Sequence, residues 1–215
     1  YASRGLGDVY KRQNMHPDWR HFDVICDGKY YCHLDMGVLG RHNAMNALAA
    51  SAAAWMMGIP GETVSKGIQS FHGAGRRMEF KGKFNGADVY DDYAHHPDEL
   101  RATLEAVRSM GYKRVVLAFQ PHTYSRTKAL FDDFVRELKK SDVVVLAEIY
   151  AARERNTIGI SSAQLAEQIP GAVYCETLPD VTAYLRENVR EGDIVVTMGA
   201  GDIFRAGEAL ISGEQ

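Results

Sequence analysis

Cysteine is scarce in this 215-residue chain, which has only Cys26, Cys32 and Cys175. They form no CxxC pair and no even framework, which argues against a disulfide scaffold or a cysteine-held metal and points to reduced thiols in the cytoplasm. An excess of positive charge is also lacking: 25 Lys and Arg stand against 28 Asp and Glu, for a formal net charge of -3. Nucleic-acid binding rests on clustered cations, so small molecules are the expected partners and nucleic acid is not. The longest apolar tract, Asn46 to Ile59, is too short to span a bilayer and is interrupted by Ser51. It reads as a buried helix, and no membrane partner is expected. The opening "YASRGLGDVYKRQ" has neither an apolar leader core nor a helical or strand period. It resembles a translated sequencing-adapter scar, so residues 1–13 are set aside as non-native and the native chain is expected to have been cut upstream. No internal repeat or low-complexity linker is present.

What remains has the composition of one large or two small globular domains, with 46% hydrophobic and 25% charged residues. From Ala87 onward, short runs rich in Val, Ile, Leu and aromatics alternate with helical patterns. The predicted strands are Ala87 to Tyr90, Val115 to Phe119, Val143 to Ile149, Ala172 to Cys175 and Ile194 to Thr197. A helix is predicted from Pro97, with Asp98 and Glu99 in its first turn and Gly111 past its end. Another starts at "SSAQ", where Ser161 and Gln164 have capping-box spacing. Further helices fit Lys128 to Lys140, Asp180 to Val189 and Ile203 to Ile211. The class implied is doubly wound α/β with a mostly parallel sheet. Ahead of it, residues 14–74 read as a strand, an Ala-rich helix stopped by Gly58 and Pro60, and a shorter helix. The glycine-rich turn "GAGRRMEF" marks the expected boundary, with a second domain over residues 75–215.

The polar clusters all follow predicted strands, where an open parallel sheet binds ligands. "DDYAHHPDE" follows the first, "QPHTYSRT" the second, "YAARERNTIG" the third and "MGAGD" the last. Arg126 could be a solvated surface arginine, but its fork can also grip a carboxylate or phosphate, and His122 beside it titrates near neutrality. Consecutive side chains of extended backbone point oppositely, so only one of His95 and His96 is expected to face a given ligand. Gly199 and Gly201 suit either a tight turn or close approach of backbone amides to an anion. Asn43 and Asn46, at the start of the Ala-rich helix, fit capping as readily as recognition. Arg153 and Glu154 could simply pair on the surface.

Six segments, in order, carry a resemblance: "GRHNAMNALAA" (Gly40 to Ala50), "GRRMEF" (Gly75 to Phe80), "DDYAHHPDE" (Asp91 to Glu99), "FQPHTYSRT" (Phe119 to Thr127), "YAARE" (Tyr150 to Glu154) and "TMGAGDI" (Thr197 to Ile203). Together they resemble the alanine-adding branch of the Mur ligase family. The resemblance implies the end of a central ATPase domain, over residues 14–74, followed by a Rossmann-like C-terminal domain. It implies an activity in which ATP, with Mg²⁺, converts the carboxylate of UDP-N-acetylmuramate to an acyl phosphate. The amine of L-alanine then attacks, giving an amide of the cytoplasmic peptidoglycan-precursor pathway. It further implies catalytic roles for His95, His122 and Arg126, and substrate contacts from Tyr93, Tyr124, Arg153, Glu154, Gly199 and Gly201. Asn43, Asn46, Arg77 and Asp92 would face the nucleotide. The sequence departs from that family in one respect: no G-x-x-x-x-G-K-[ST] loop occurs, so most Mg²⁺ ligands are expected outside this chain, and the chain alone is expected to be inactive. Two other readings fit the residues, a non-catalytic amino-acid or nucleotide-binding module and a metal hydrolase built on Asp91, Asp92, His95 and His122.

Overall fold

Apolar runs with no polar face, such as Val115 to Phe119, are satisfied only between two covering layers. The computed structural model, which describes residues 10–13, 19–38, 40–71 and 73–213, places them there. The chain divides into two compact units, the first ending at Gly73 and the second starting at Ala74.

The first unit is a three-stranded antiparallel sheet, β1 (Tyr10–Gln13), β2 (His21–Cys26) and β3 (Lys29–Asp35), with helices α1 (Arg41–Met56) and α2 (Gly61–Gln69). Phe22, Val24, Cys32, Leu34 and Met36 form its core with Ala44, Leu48 and Val64. Sequence reading missed β2, although its alternation is regular and Asp27–Gly28, both at positive φ, make a two-residue hairpin turn into β3. It also set β1 aside, yet Tyr10–Gln13 pairs with β2 through backbone bonds that any side chain permits. The Ala-rich helix was expected to be buried, but only one face is: Ala44, Leu48, Ser51 and Ala52 point inward while Met56 and Met57 are 70% and 77% exposed. Alanine favours helix intrinsically and needs no burial to do so. Neither Asn43 nor Asn46 caps this helix, because the N-cap position falls on Gly40.

The second unit contains β4 (Glu79–Phe84), β5 (Ala87–Asp92), α3 (Pro97–Ser109), β6 (Arg114–Phe119), α4 (Tyr124–Ala129), α5 (Phe131–Leu138), β7 (Val143–Ala147), α6 (Ser162–Glu167), β8 (Val173–Cys175), α7 (Leu178–Asn188), β9 (Asp193–Met198) and α8 (Phe204–Ser212). The strand order is β4-β5-β9-β6-β7-β8, with β4 antiparallel and the rest parallel. This is the doubly wound α/β fold expected from the sequence. Leu100, Leu104, Phe134, Leu138 and Leu165 from α3, α5 and α6 pack one face against Leu117, Phe119 and Leu146. Val181, Leu185, Ala206 and Leu210 from α7 and α8 cover the other, over Val89, Val116, Val145 and Val195. Each fully buried Phe or Leu contributes about 1.5–3 kcal/mol.

Three local features differ from expectation. The strand β4 joins β5 through Asn85–Gly86, another positive-φ pair whose turn signal was legible. The helix expected at Lys128 to Lys140 is two helices that start earlier and break at Leu130, which leaves helical geometry with φ -114 and ψ 24. Ser161 sits at the N-cap of α6 without a side-chain cap bond, and the Gln164 side chain donates Nε2 to the Gly159 carbonyl. Capping boxes form instead at His96/Glu99 and Thr177/Asp180. The feature that positions the site is β9. It returns between β5 and β6, so the loops leaving these three strands become neighbours at one sheet edge.

Candidate functional site

At the end of β5, Asp91 and Asp92 are 1% and 4% exposed. Asp91 receives Arg76 Nε at 2.8 Å and Thr197 Oγ1 at 2.8 Å. Asp92 accepts Met78 N at 2.8 Å, Ala94 N at 2.9 Å and Thr103 Oγ1 at 3.3 Å. Burial pushes both carboxyls above the usual range, against the pull of these donors. Asp92, expected at the nucleotide, also folds its own loop, accepting two amides and a hydroxyl.

The two histidines that follow diverge, as extended backbone requires. His96 caps α3, taking Asp98 N at 3.3 Å on its Nδ1, while Glu99 accepts the amides of both His95 and His96. His95 turns the other way and approaches Tyr93 O with Nδ1 at 3.0 Å. Its ring centroid lies 5.4 Å from Tyr93 and 5.9 Å from His122. His122 in turn stacks on Tyr150 at 5.6 Å with an interplanar angle of 21°. Tyr93, His95, His122 and Tyr150 thus form a row of rings drawn from three loops.

The β6 loop is held rigidly. Tyr150 N donates to Pro121 O at 2.8 Å and Thr123 N to Tyr150 O at 2.9 Å, so the loop after β7 pairs with it like a short strand. Thr123 then adopts φ 68 and ψ 141, a region that favours glycine and that a β-branched residue enters only when its surroundings compel it. Thr127 supplies part of that constraint, donating Oγ1 to Thr123 O at 2.7 Å. This bend aims the first turn of α4, with Arg126, back toward His122. Arg126 NH1 and His122 Nδ1 are both buried without a hydrogen-bond partner. Burial lowers the His122 pKa first, with the Arg126 and His95 charges adding to it and Glu154 opposing. The imidazole is accordingly neutral at pH 7.

The remaining expected contacts fall into two groups. Glu154 does not meet Arg153. It accepts the Ser125 amide at 2.9 Å and the Ser125 hydroxyl, so its carboxylate anchors the start of α4. Arg153 is exposed and Tyr124 half-buried near the same turn. Gly199 and Gly201 serve a close approach: a Cβ would come within 2.6 Å of Gln120 O and 2.3 Å of Gln120 Oε1 respectively. The amides of Asp202 and Ile203 bind Gln120 Oε1 at 2.9 and 3.1 Å, so those helix-terminal donors serve a side chain and not an anion. Gln120 and Arg76 organise this edge, and neither was singled out from sequence as a site residue. A glutamine that directly follows a buried strand and precedes a proline is the only local hint of the first; nothing local separates Arg76 from Arg77.

Arg77 is exposed, with its guanidinium 5.7 Å from the Tyr93 ring. In the first unit, Asn43 is half-buried and Asn46 exposed on the first turns of α1. Among the described residues, no group of three His, Cys, Asp or Glu side chains could hold a metal ion, and no helix is long and apolar enough to cross a membrane.

The fold is a doubly wound α/β domain whose carboxyl edge presents buried, unpartnered guanidinium and imidazole nitrogens. Residues 76–201 match the Mur ligase, glutamate ligase domain model, and the chain belongs to that family. It is 47% identical over 194 residues to the UDP-N-acetylmuramate–L-alanine ligase of Lachnospira eligens, covering 88% of this chain and 42% of that protein. The corresponding ligase of Clostridium novyi is 42% identical over 210 residues, 95% of this chain and 46% of that one. The crystal structure of the UDP-N-acetylmuramate–alanine ligase of Thermotoga maritima shares the fold with a TM-score of 0.78 at 26% identity, over 95% of this chain and 45% of that chain. The chain thus spans less than half the length of these relatives.

Proposed function

We propose that this chain forms the amino-acid-joining part of a cytoplasmic ATP-dependent ligase that links L-alanine to the carboxylate of UDP-N-acetylmuramate. The observation that carries this reading is the pair of buried nitrogens without partners, Arg126 NH1 and His122 Nδ1. A buried guanidinium N–H left unsatisfied is costly, and a carboxylate or acyl phosphate is the group that would satisfy it. Arg126 then holds the anionic carbonyl end. His122, kept neutral by burial, can take a proton from the incoming ammonium so that the free amine attacks. Tyr93, His95 and Tyr150 wall the site with rings, Tyr124 and Arg153 line its mouth, and Gly199 and Gly201 let the loops close without side chains.

ATP, when bound, would supply the phosphoryl group that activates the carboxylate. Arg77 suits a phosphate, being exposed with no ion pair among the described residues, and Asn43 and Asn46 suit the base. Asp92 contributes through Met78 N, which it fixes next to Arg77. The described residues offer no cluster of three His, Cys, Asp or Glu side chains for Mg²⁺. The same finding removes the ligand set of a metal hydrolase, since Asp91 and Asp92 are both engaged internally.

The test joins this chain to the remaining portion of the Lachnospira eligens ligase and measures alanine-dependent phosphate release. Arg126→Lys keeps the charge and loses the planar fork, so kcat/KM should fall on the order of 100-fold. Unchanged kinetics would overturn the assignment. The chain alone, given ATP, Mg²⁺ and both substrates, is expected to release no phosphate.

A further inference from the structure

We infer that Arg76, the inward member of the Arg76–Arg77 pair, is a positioning residue that sets the phosphate-side and carboxylate-side halves of the site in register with each other. The inference rests on the functional reading above for the roles of Arg77, His122 and Arg126.

Each nitrogen of the Arg76 fork donates one hydrogen bond, and each bond goes to a different part of the edge. Nε donates to Asp91 at 2.8 Å, NH1 to Gly201 O at 3.0 Å and NH2 to Gly199 O at 2.6 Å. The guanidinium lies between two rings, 5.0 Å from Tyr93 and 4.7 Å from Phe204. The backbone is held as firmly: Arg76 N donates to Glu79 Oε2 at 2.7 Å, and Arg76 O accepts Tyr93 N at 2.6 Å. These bonds sustain a left-handed backbone at φ 60, unfavourable for a side chain of this size. A residue so over-determined has its position imposed by its partners, and imposes theirs in return.

Two routes lead from Arg76 to His122. One runs through Tyr93, whose carbonyl meets His95 Nδ1, to the His95 ring that faces His122. The other runs through Gly199 and Gly201, which press on Gln120, and Gln120 lies two residues ahead of His122. Arg77 is covalently adjacent, and Met78 N is fixed by Asp92. Moving the Arg76 fork therefore shifts both the residue assigned to phosphate and the residues assigned to the carboxylate and amine. Arg76 acts through protein oxygens, since each of its three side-chain nitrogens donates to one.

Arg76→Lys is the discriminating variant. It retains a cation for the buried Asp91 but cannot reach two carbonyls at once or lie flat between two rings. The ¹⁵N-labelled chain would be titrated with inorganic pyrophosphate, followed at the amides near Arg77, and separately with L-alanine, followed at His122 to Thr127. In Arg76→Lys both dissociation constants should rise about five- to tenfold, the size of effect seen for residues that couple sites without contacting a ligand. Arg77→Gln should weaken only pyrophosphate and Arg126→Gln only L-alanine. If Arg76→Lys loses its dispersed spectrum, Phe204→Leu takes its place; it leaves every fork bond intact, removes one ring face and should raise both constants by about twofold. Wild-type affinities in the folded variant, or loss confined to one ligand, overturn the coupling. A wild-type chain that binds neither probe overturns the functional reading instead, and the positioning role falls with it.

Discussion

The two ends of the six-stranded sheet handle charge in opposite ways. At the amino end Asp193, Asp142 and Asp88 each have a cation or a phenol. Arg114 reaches Asp193 through Nε at 3.0 Å and NH2 at 2.7 Å, Asp142 takes Arg108 NH1 at 2.8 Å, and Asp88 takes the Tyr112 hydroxyl at 2.6 Å. At the carboxyl end Asp91 has Arg76, and Asp92 has two amides and a hydroxyl, yet Arg126 NH1 and His122 Nδ1 have no partner. The only buried side-chain atom left without a partner near the amino end, among the described residues, is the neutral Ser141 hydroxyl. Burial of charge with compensation is structural, whereas buried polar nitrogens without it are candidates for meeting a ligand.

The contrast can be broken most forcefully at the amino end. Arg114→Met leaves Asp193 buried at 4% exposure without its ion partner, so unfolding free energy should drop by about 3 kcal/mol, read from the urea midpoint at constant slope. The amide shifts of His122 to Thr127 should stay as in the wild type; movement there would show that the two ends are not independent. Thr123→Gly should act with the opposite sign. Relief of the φ 68 conformation, less the added freedom of glycine in the unfolded chain, should stabilise by about 1 kcal/mol while lowering affinity for L-alanine. A destabilised variant would show that the bend carries no strain.

Arg126→Gln should leave stability within about 0.5 kcal/mol, because no protein group loses a bond to NH1. Its effect is on titration. The folded state binds fewer protons at His122 than the unfolded chain between the lowered folded pKa and about 6.5. Stability therefore rises with pH across that window and is lost as pH falls through the folded pKa. Removing the Arg126 charge should move the His122 pKa upward in an NMR titration and flatten that dependence. Glu154→Gln should give the smallest response, a further lowering of the His122 pKa, since the Glu154 charge raises it. An upward shift would mean that the Ser125 anchor, and not the charge, governs the loop.

Much of this was legible without coordinates. The continuous Val115 to Phe119 and Ile194 to Thr197 runs had to be doubly covered strands, and period two alone separated His95 from His96. The Asp27–Gly28 and Asn85–Gly86 hairpins are equally local, since both turns are two-residue pairs at positive φ. What could not be read locally is who meets whom. Asp92 was expected to face a nucleotide and Glu154 a substrate, yet one is closed in by Met78, Ala94 and Thr103 and the other is held by Ser125.

The sequence by itself determined the periodicities, the strand-helix alternation and the gathering of polar residues after each strand, because these follow from local sterics and from which side chains leave water. Tertiary structure decided that Arg76 turns inward while Arg77 stays exposed, that Gln120 holds the start of α8, and that His122 Nδ1 and Arg126 NH1 are each buried without a partner. These outcomes depend on β9 entering between β5 and β6, which brings Arg76 to carbonyls 123 and 125 residues away. No local pattern encodes such a pairing; it is selected by the packing of the whole sheet, where a single insertion of one strand sets the neighbours of every loop at that edge.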